Sequence, residues 1–191
     1  MNECGYLDAD IQPACDALPI KGMETRIFIL NFEDWLNATV TQGATVDIIS
    51  AIALASTKEA YEAIVPPNFP KERYTSEKGD SGYAIYTHEI DVLVEPTAEG
   101  KLFAKDAGRG RFVVIAEKKA KGTDKEDAFD VLGGDAGIEG TITYDSDAND
   151  GHIAITIASP DARESGPPKT FFNTDYATTV AALEALLTPA A

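Results

Sequence analysis

The alternation of side chains along residues 83–94, YAIYTHEIDVLV, constrains this chain more than any other feature. Tyr86, Ile90, Val92 and Val94 fall on one face, and Thr87, Glu89 and Asp91 on the other, which is the period-two pattern of a half-buried strand. Pro96 stops the ladder because it lacks an N–H. Thr97 then stands where a helix N-cap is needed, Ala98, Leu102 and Phe103 form a short apolar helical stripe, and Gly108 and Gly110 end it. Residues 112–116, FVVIA, return to the sheet. A strand with one wet and one dry face needs a second layer over the dry face, so the rest of the chain must supply more strands.

It does. Residues 25–30, TRIFIL, predict a first core strand, followed by a turn near Glu33 and Asp34 before Trp35. A strand pair follows at 38–41 and 45–54, separated by Gln42 and Gly43. Residues 129–132 read as a short strand, and 138–144 and 152–158 as a hairpin closed by DSDANDG, with Ile153, Ile155 and Ile157 on one face. At the end, Thr174 or Asp175 caps a helix at about 175–187, whose stripe is Tyr176, Val180, Leu183 and Leu187. The expected fold is mainly β with flanking helices (α+β): a β-sandwich or rolled β-barrel with a C-terminal helix. With 191 residues and 44% hydrophobic content, one domain over 24–191 is expected, preceded by an arm at 1–23.

Residues 55–82 interrupt the pattern. Pro66, Pro67 and Pro70 break it, charges of both signs follow, and yet Tyr61, Ile64, Val65, Phe69 and Tyr74 give the segment more apolar area than a disordered stretch carries. Residues 60–65 and 73–76 are expected as the two strands of a long hairpin. Those five apolar residues either cap the domain's own sheet or meet a neighbouring subunit.

Charge narrows the functional classes. Asp and Glu number 32 against 16 Lys and Arg, a net charge of −16. Nucleic-acid binding rests on cationic neutralisation of phosphates, so specific DNA or RNA binding is not expected, nor is adhesion to an anionic membrane. No apolar run approaches the roughly 18 residues that span a bilayer, and the N-terminus lacks the basic and apolar regions of a secretory leader. Cys4 and Cys15 read as structural or free thiols, a disulfide or, least, metal ligands.

Chemical motifs are sparse. In DSDANDG, Asp145, Asp147 and Asp150 suggest a calcium loop, but an EF-hand type needs Gly at its sixth position and a bidentate acid at its twelfth. Here Asp150 and Thr156 stand there, and a hairpin turn explains the same residues. His88 lies on the apolar face of its strand and His152 just past a turn, with no nucleophile signature beside either. The glycine pieces at 108–110, 133–137 and 79–82 match neither a phosphate loop, a dinucleotide fingerprint nor a nucleophile elbow. The basic run EKKAKG at 117–122 reads as a solvated strand end. No catalytic residue, cofactor or metal is expected, and the chain is read as a non-enzyme.

Several stretches together resemble the tail-tube-like structural proteins of tailed phages, particularly those of Bacteroidetes phages. They are the arm closing on Lys21 and Gly22, IFILNFEDW at 27–35, YTHEIDVLV at 86–94, GRFVVIAEKKAKG at 110–122 and FFNTD at 171–175. The resemblance implies a virion structural protein with a tail-tube-like sandwich, assembling with itself into rings, usually hexameric, that stack into a tube. DNA would pass through without specific binding, and other virion proteins would be partners. Localisation would be the virion tail, with assembly in the host cytoplasm. The helix after FFNTD and the acidic balance depart from that pattern, which leaves tube, adaptor, terminator and connector roles open. A soluble β-sandwich ligand-binding module, with Trp35 or several tyrosines in a concave site, is the alternative from another class.

Overall fold

The computed structural model describes residues 21–79, 82–161 and 163–189. Among the described residues, eleven strands and three α-helices follow in the order β1 (Met23–Asn31), α1 (Phe32–Leu36), β2 (Thr39–Gln42), β3 (Ile48–Ala53), β4 (Tyr61–Ile64), β5 (Lys71–Lys78), β6 (Ala84–Val94), α2 (Ala98–Ala107), β7 (Arg111–Lys118), β8 (Phe129–Leu132), β9 (Ile138–Tyr144), β10 (Ile153–Ala158), β11 (Lys169–Phe171) and α3 (Tyr176–Ala185). The protein is mainly β with flanking helices, as its alternation patterns imply.

One continuous hydrogen-bonded path runs β2-β3-β11-β8-β7-β9-β10-β6-β5, and β1 joins β7 on one side and β4 on the other. All pairings are antiparallel except β3 with β11. The path branches at β7. One edge of β7 takes β1, with Phe28 opposite Ile115, while the other is shared by β8 along Val114–Glu117 and by β9 at Arg111 and Phe112.

Burial follows this branching. On β1 and β7, Ile27, Ile29, Val114 and Ala116 turn one way and pack with Ile90, Val92, Ile155 and Ile157 of β6 and β10. Their neighbours Phe28, Leu30, Val113 and Ile115 turn the other way, toward Phe129, Phe171, Trp35 and Leu183. The β1–β7 pair is therefore dry on both faces, which is why IFIL and VVIA are continuous apolar runs, whereas β6 alternates. Each such Ile, Leu, Val or Phe contributes about 1.5–3 kcal/mol by leaving water.

The helices close the two cores. In α2 the Thr97 hydroxyl accepts from Gly100 N–H at 3.1 Å, as its position predicts. The buried stripe, however, is Ala104 and Ala107 with partly buried Phe103, while Leu102 faces solvent. The expected stripe is turned by about one residue, and Ala107 sits where α2 comes closest to the sheet. Gly140 of β9 lies so close to α2 that a Cβ there would stand 2.6 Å from the Ala107 carbonyl oxygen. In α3 the cap is Asp175, whose carboxylate accepts from Thr178 N–H at 2.8 Å, and Thr179 and Leu183 are the buried positions.

The long hairpin expected from residues 60–65 and 73–76 does not form. Residues 61–64 add to β1, with Arg26 opposite Ile64 and Ile29 opposite Tyr61. Residues 71–78 pair instead with β6 over eight positions, from Lys71 opposite Asp91 to Lys78 opposite Ala84. Pro66, Pro67 and Pro70 remove three ladder donors between the two strands, and each half has a longer partner available. The segment thus ends in two different parts of the sheet. β1 starts at Met23, which is buried.

Candidate subunit interface

Two strands of the 55–82 segment lie at sheet edges. Among the described residues β4 pairs only with β1, and β5 only with β6. Val65 N–H donates to Thr25 C=O at 2.9 Å. By the alternation of an antiparallel ladder, Ala63 and Tyr61 likewise turn their backbone toward β1, leaving that of Glu62 and Ile64 pointing outward. An edge of this kind is a template for another strand unless it is blocked.

The five expected interface residues separate on inspection. Tyr61 is 52% exposed and Ile64 74% exposed on the β4 edge, and Tyr74 is 52% exposed on the β5 edge. Val65, at 3% exposed, belongs to the core with Ile27 and Ile90 and has no area to offer a neighbour. Phe69 is half-buried against the same core and carries the Lys71 ammonium 4.5 Å above its ring. Three residues on two edges remain as candidate contacts, with Glu62 of the β4 edge already held by the Arg26 guanidinium.

Beside β5 an open groove of about 810 Å³ reaches to the end of β7 and the start of β1. Parity along the strands builds its floor. Glu72 lies opposite Ile90, on the inward face of β5, and Asp130 lies opposite Ala116, on the inward face of β8. The two carboxyl groups are close enough for the Asp130 charge to act on Glu72, and Lys118 Nζ donates to Asp130 Oδ1 at 2.8 Å. The second Glu72 oxygen, Oε2, is buried without a partner among the described residues. Burial, and then the Asp130 charge, push the Glu72 carboxyl up to about 8. Burial also raises Asp130, against the pull of Lys118. Two carboxyl groups in this contact need one proton between them, and Glu72 holds it. Lys118, expected in a solvated strand end, is thus part of a buried cluster. Nothing in the sequence marked this site, since Glu72 and Asp130 are 58 positions apart by their numbering and meet only through strand register.

The remaining polar candidates are joined to the framework. His88 is buried: its Nδ1 accepts from Gly133 N–H at 3.2 Å, which leaves Nε2 to donate to Gly166 C=O at 2.8 Å. The buried Glu164 carboxylate accepts from the N–H groups of Asp135 and Ala136 at 3.0 and 3.1 Å. Gly133, with φ of 77°, takes the left-handed conformation that opens this loop. Together His88 and Glu164 tie the 133–137 loop and residues 164–166 to β6, and the Ser159 hydroxyl accepts from the His88 N–H. Among the described residues, both ring nitrogens of His88 are engaged by backbone groups. His152 Nδ1 contacts the Asn149 carbonyl of the turn preceding its strand at 3.0 Å.

In DSDANDG the Asp145 carboxylate accepts from Asp147 N–H at 2.9 Å, and residues 149–151 form a single 3₁₀ turn. The acids act as turn residues, and among the described residues no group of three or more His, Cys, Asp or Glu is placed to hold a metal ion. Trp35 is buried in the second core and donates Nε1–H to Gly134 C=O at 2.8 Å, so it does not line a concave surface. Cys4 and Cys15 lie outside the described residues. No helix among the described residues is long and apolar enough to cross a membrane.

Comparison with protein-family models, with curated proteins and with solved structures finds no match to this chain.

Proposed function

We propose that this protein is a structural subunit that assembles with copies of itself into rings or a tube, acting as a virion tail component through which DNA passes. The observation that carries the reading is that β4 and β5 each pair on one side only among the described residues, and hold Tyr61, Ile64 and Tyr74 in solvent. A monomer leaves such edges open to further pairing, whereas a closed ring satisfies them by symmetry. The net charge of −16 fits a wall facing a polyanion without adhering to it, since like charges repel within about a Debye length, roughly 8–10 Å. The resemblance of the IFILNFEDW, YTHEIDVLV and GRFVVIAEKKAKG stretches to tail-tube-like proteins supports the virion context. An adaptor, terminator or connector ring uses the same edges and differs in what stacks on it.

Sedimentation velocity and negative-stain electron microscopy of the purified protein test the reading. Rings or tubes are expected, and Tyr61→Ser with Ile64→Ser, or Tyr74→Ser, is expected to shift the distribution toward monomer. A strictly monomeric species at every concentration and salt overturns it. Deleting residues 60–76 is unsuitable, because it removes partners of both β1 and β6 and would unfold the chain.

A further inference from the structure

We infer that the groove beside β5 receives the β9–β10 turn, residues 145–151, of a second copy of this chain; the inference rests on the self-assembly proposed above and names two surfaces that meet in it. Two chains of net charge −16 repel one another, so a contact between copies needs a place where that charge is locally reversed. The groove is such a place. Lys21, Lys71, Arg73, Lys118 and Lys119, five of the chain's 16 basic residues, line it. Arg73 is bound to Glu89 and Asp91, and Lys118 to Asp130. Lys21, Lys71 and Lys119 are exposed and have no ion pair among the described residues. The floor does not cancel them, because Glu72 holds its proton and Asp130 is matched by Lys118.

The turn carries the opposite charge in a form ready to dock. Asp145, Asp147 and Asp150 are exposed without an ion pair among the described residues, and no Lys or Arg lies between Tyr144 and Ile153. Residues 141–144 of β9 are exposed as well, so the tip stands clear of the core. Its shape is set before any contact: the Asp145 carboxylate accepts from Asp147 N–H at 2.9 Å, and Gly151 N–H donates to Ala148 C=O at 3.0 Å. Docking therefore orders little further chain. The acidic loop at 124–127 is the weaker counterpart, because it contains Lys125 and turns Glu126 back onto the Asp124 N–H. Within one copy no residue of the turn lines the groove, and β10 and β6 stand between β9 and β5. Turn and groove are thus separate surfaces, and a contact between them runs head-to-tail from copy to copy, the kind that closes into rings.

Charge exchange read by sedimentation velocity tests the contact. The turn variant is Asp145→Asn, Asp147→Lys and Asp150→Asn, in which Asn keeps the side-chain acceptor and suits the left-handed position at 150; the groove variant is Lys71→Glu with Lys119→Glu. At about 0.1 M salt each alone should raise the concentration of half-assembly by about tenfold or more, as the loss and reversal of several exposed ion pairs implies. An equal mixture of the two should assemble near the wild-type concentration, because every turn then meets a groove of opposite sign. Asp147→Lys alone, whose side chain takes no part in the turn, should give part of the shift, and circular dichroism melts check that each variant is folded. Lys101→Glu with Lys105→Glu on α2 changes net charge as much as the groove variant and should leave assembly unchanged. Turn and groove variants that assemble like the wild type, or a mixture that stays dissociated, overturn the inference while leaving the self-assembly reading in place. A groove variant that is impaired beside an unaffected turn variant also overturns it, because another surface then fills the groove. A wild type that is monomeric throughout overturns the self-assembly reading, and this contact with it.

Discussion

Replacing Glu72 by Gln should abolish a pH dependence that the buried carboxyl pair imposes on folding. The Glu72 carboxyl is raised from 4.5 to about 8, first by burial and then by Asp130. Below pH 4.5 both folded and unfolded chains hold the proton, so the group adds no pH dependence. Between 4.5 and about 8 only the folded chain keeps it, the unfolded chain binds fewer protons, and stability falls as pH rises. Above about 8 both are ionised and the loss levels off. At about 1.4 kcal/mol per pH unit, the loss is on the order of 5 kcal/mol in all, and roughly 4 kcal/mol between pH 5 and 8. Gln has the shape of the protonated acid and donates to Asp130 without needing a proton, so it escapes the loss. At about 2–4 °C per kcal/mol for a chain of this size, the melting temperature of the wild type should fall relative to Glu72→Gln by roughly 8–16 °C from pH 5 to pH 8. Thermal melts of both proteins at half-unit intervals check this. Parallel curves would show that Glu72 does not hold the proton, and a wild type that gains on the variant with rising pH would reverse the sign of the argument.

Two further substitutions probe the frame that carries the edges. Val92→Asp places a carboxylate in the core that β6 and β10 share with β1 and β7, where Val92 is buried beside Ile155. An unpaired buried charge costs several kcal/mol or drives the group to stay protonated, so loss of the folded state is expected by circular dichroism, and normal assembly would refute the strand register. Gly140→Val sets a side chain where a Cβ already meets the Ala107 carbonyl at 2.6 Å. Displacement of α2 from β9 should cost about 1–3 kcal/mol, read as a lower urea midpoint, and an unchanged midpoint would refute the close approach.

What the sequence by itself determined was local. The alternation in YTHEIDVLV and in the 138–158 hairpin is set by the strand period of two, and the caps at Thr97 and at Thr174 or Asp175, of which the structure uses Asp175, by the need to satisfy free N–H groups at a helix start. His88 on the dry face of β6 was legible for the same reason. Tertiary structure decided the rest. Nothing local told residues 61–64 and 71–78 to choose β1 and β6 over each other, because hydrogen-bonding edges are alike in all strands and the choice depends on which partner offers the longer ladder and the deeper burial. That choice buried Val65, left Tyr61, Ile64 and Tyr74 in solvent on two edges, and turned Glu72 inward to meet Asp130. Strand period sets which way a side chain points, whereas long-range register sets what it meets, and the candidate interface and the carboxyl pair both depend on the second.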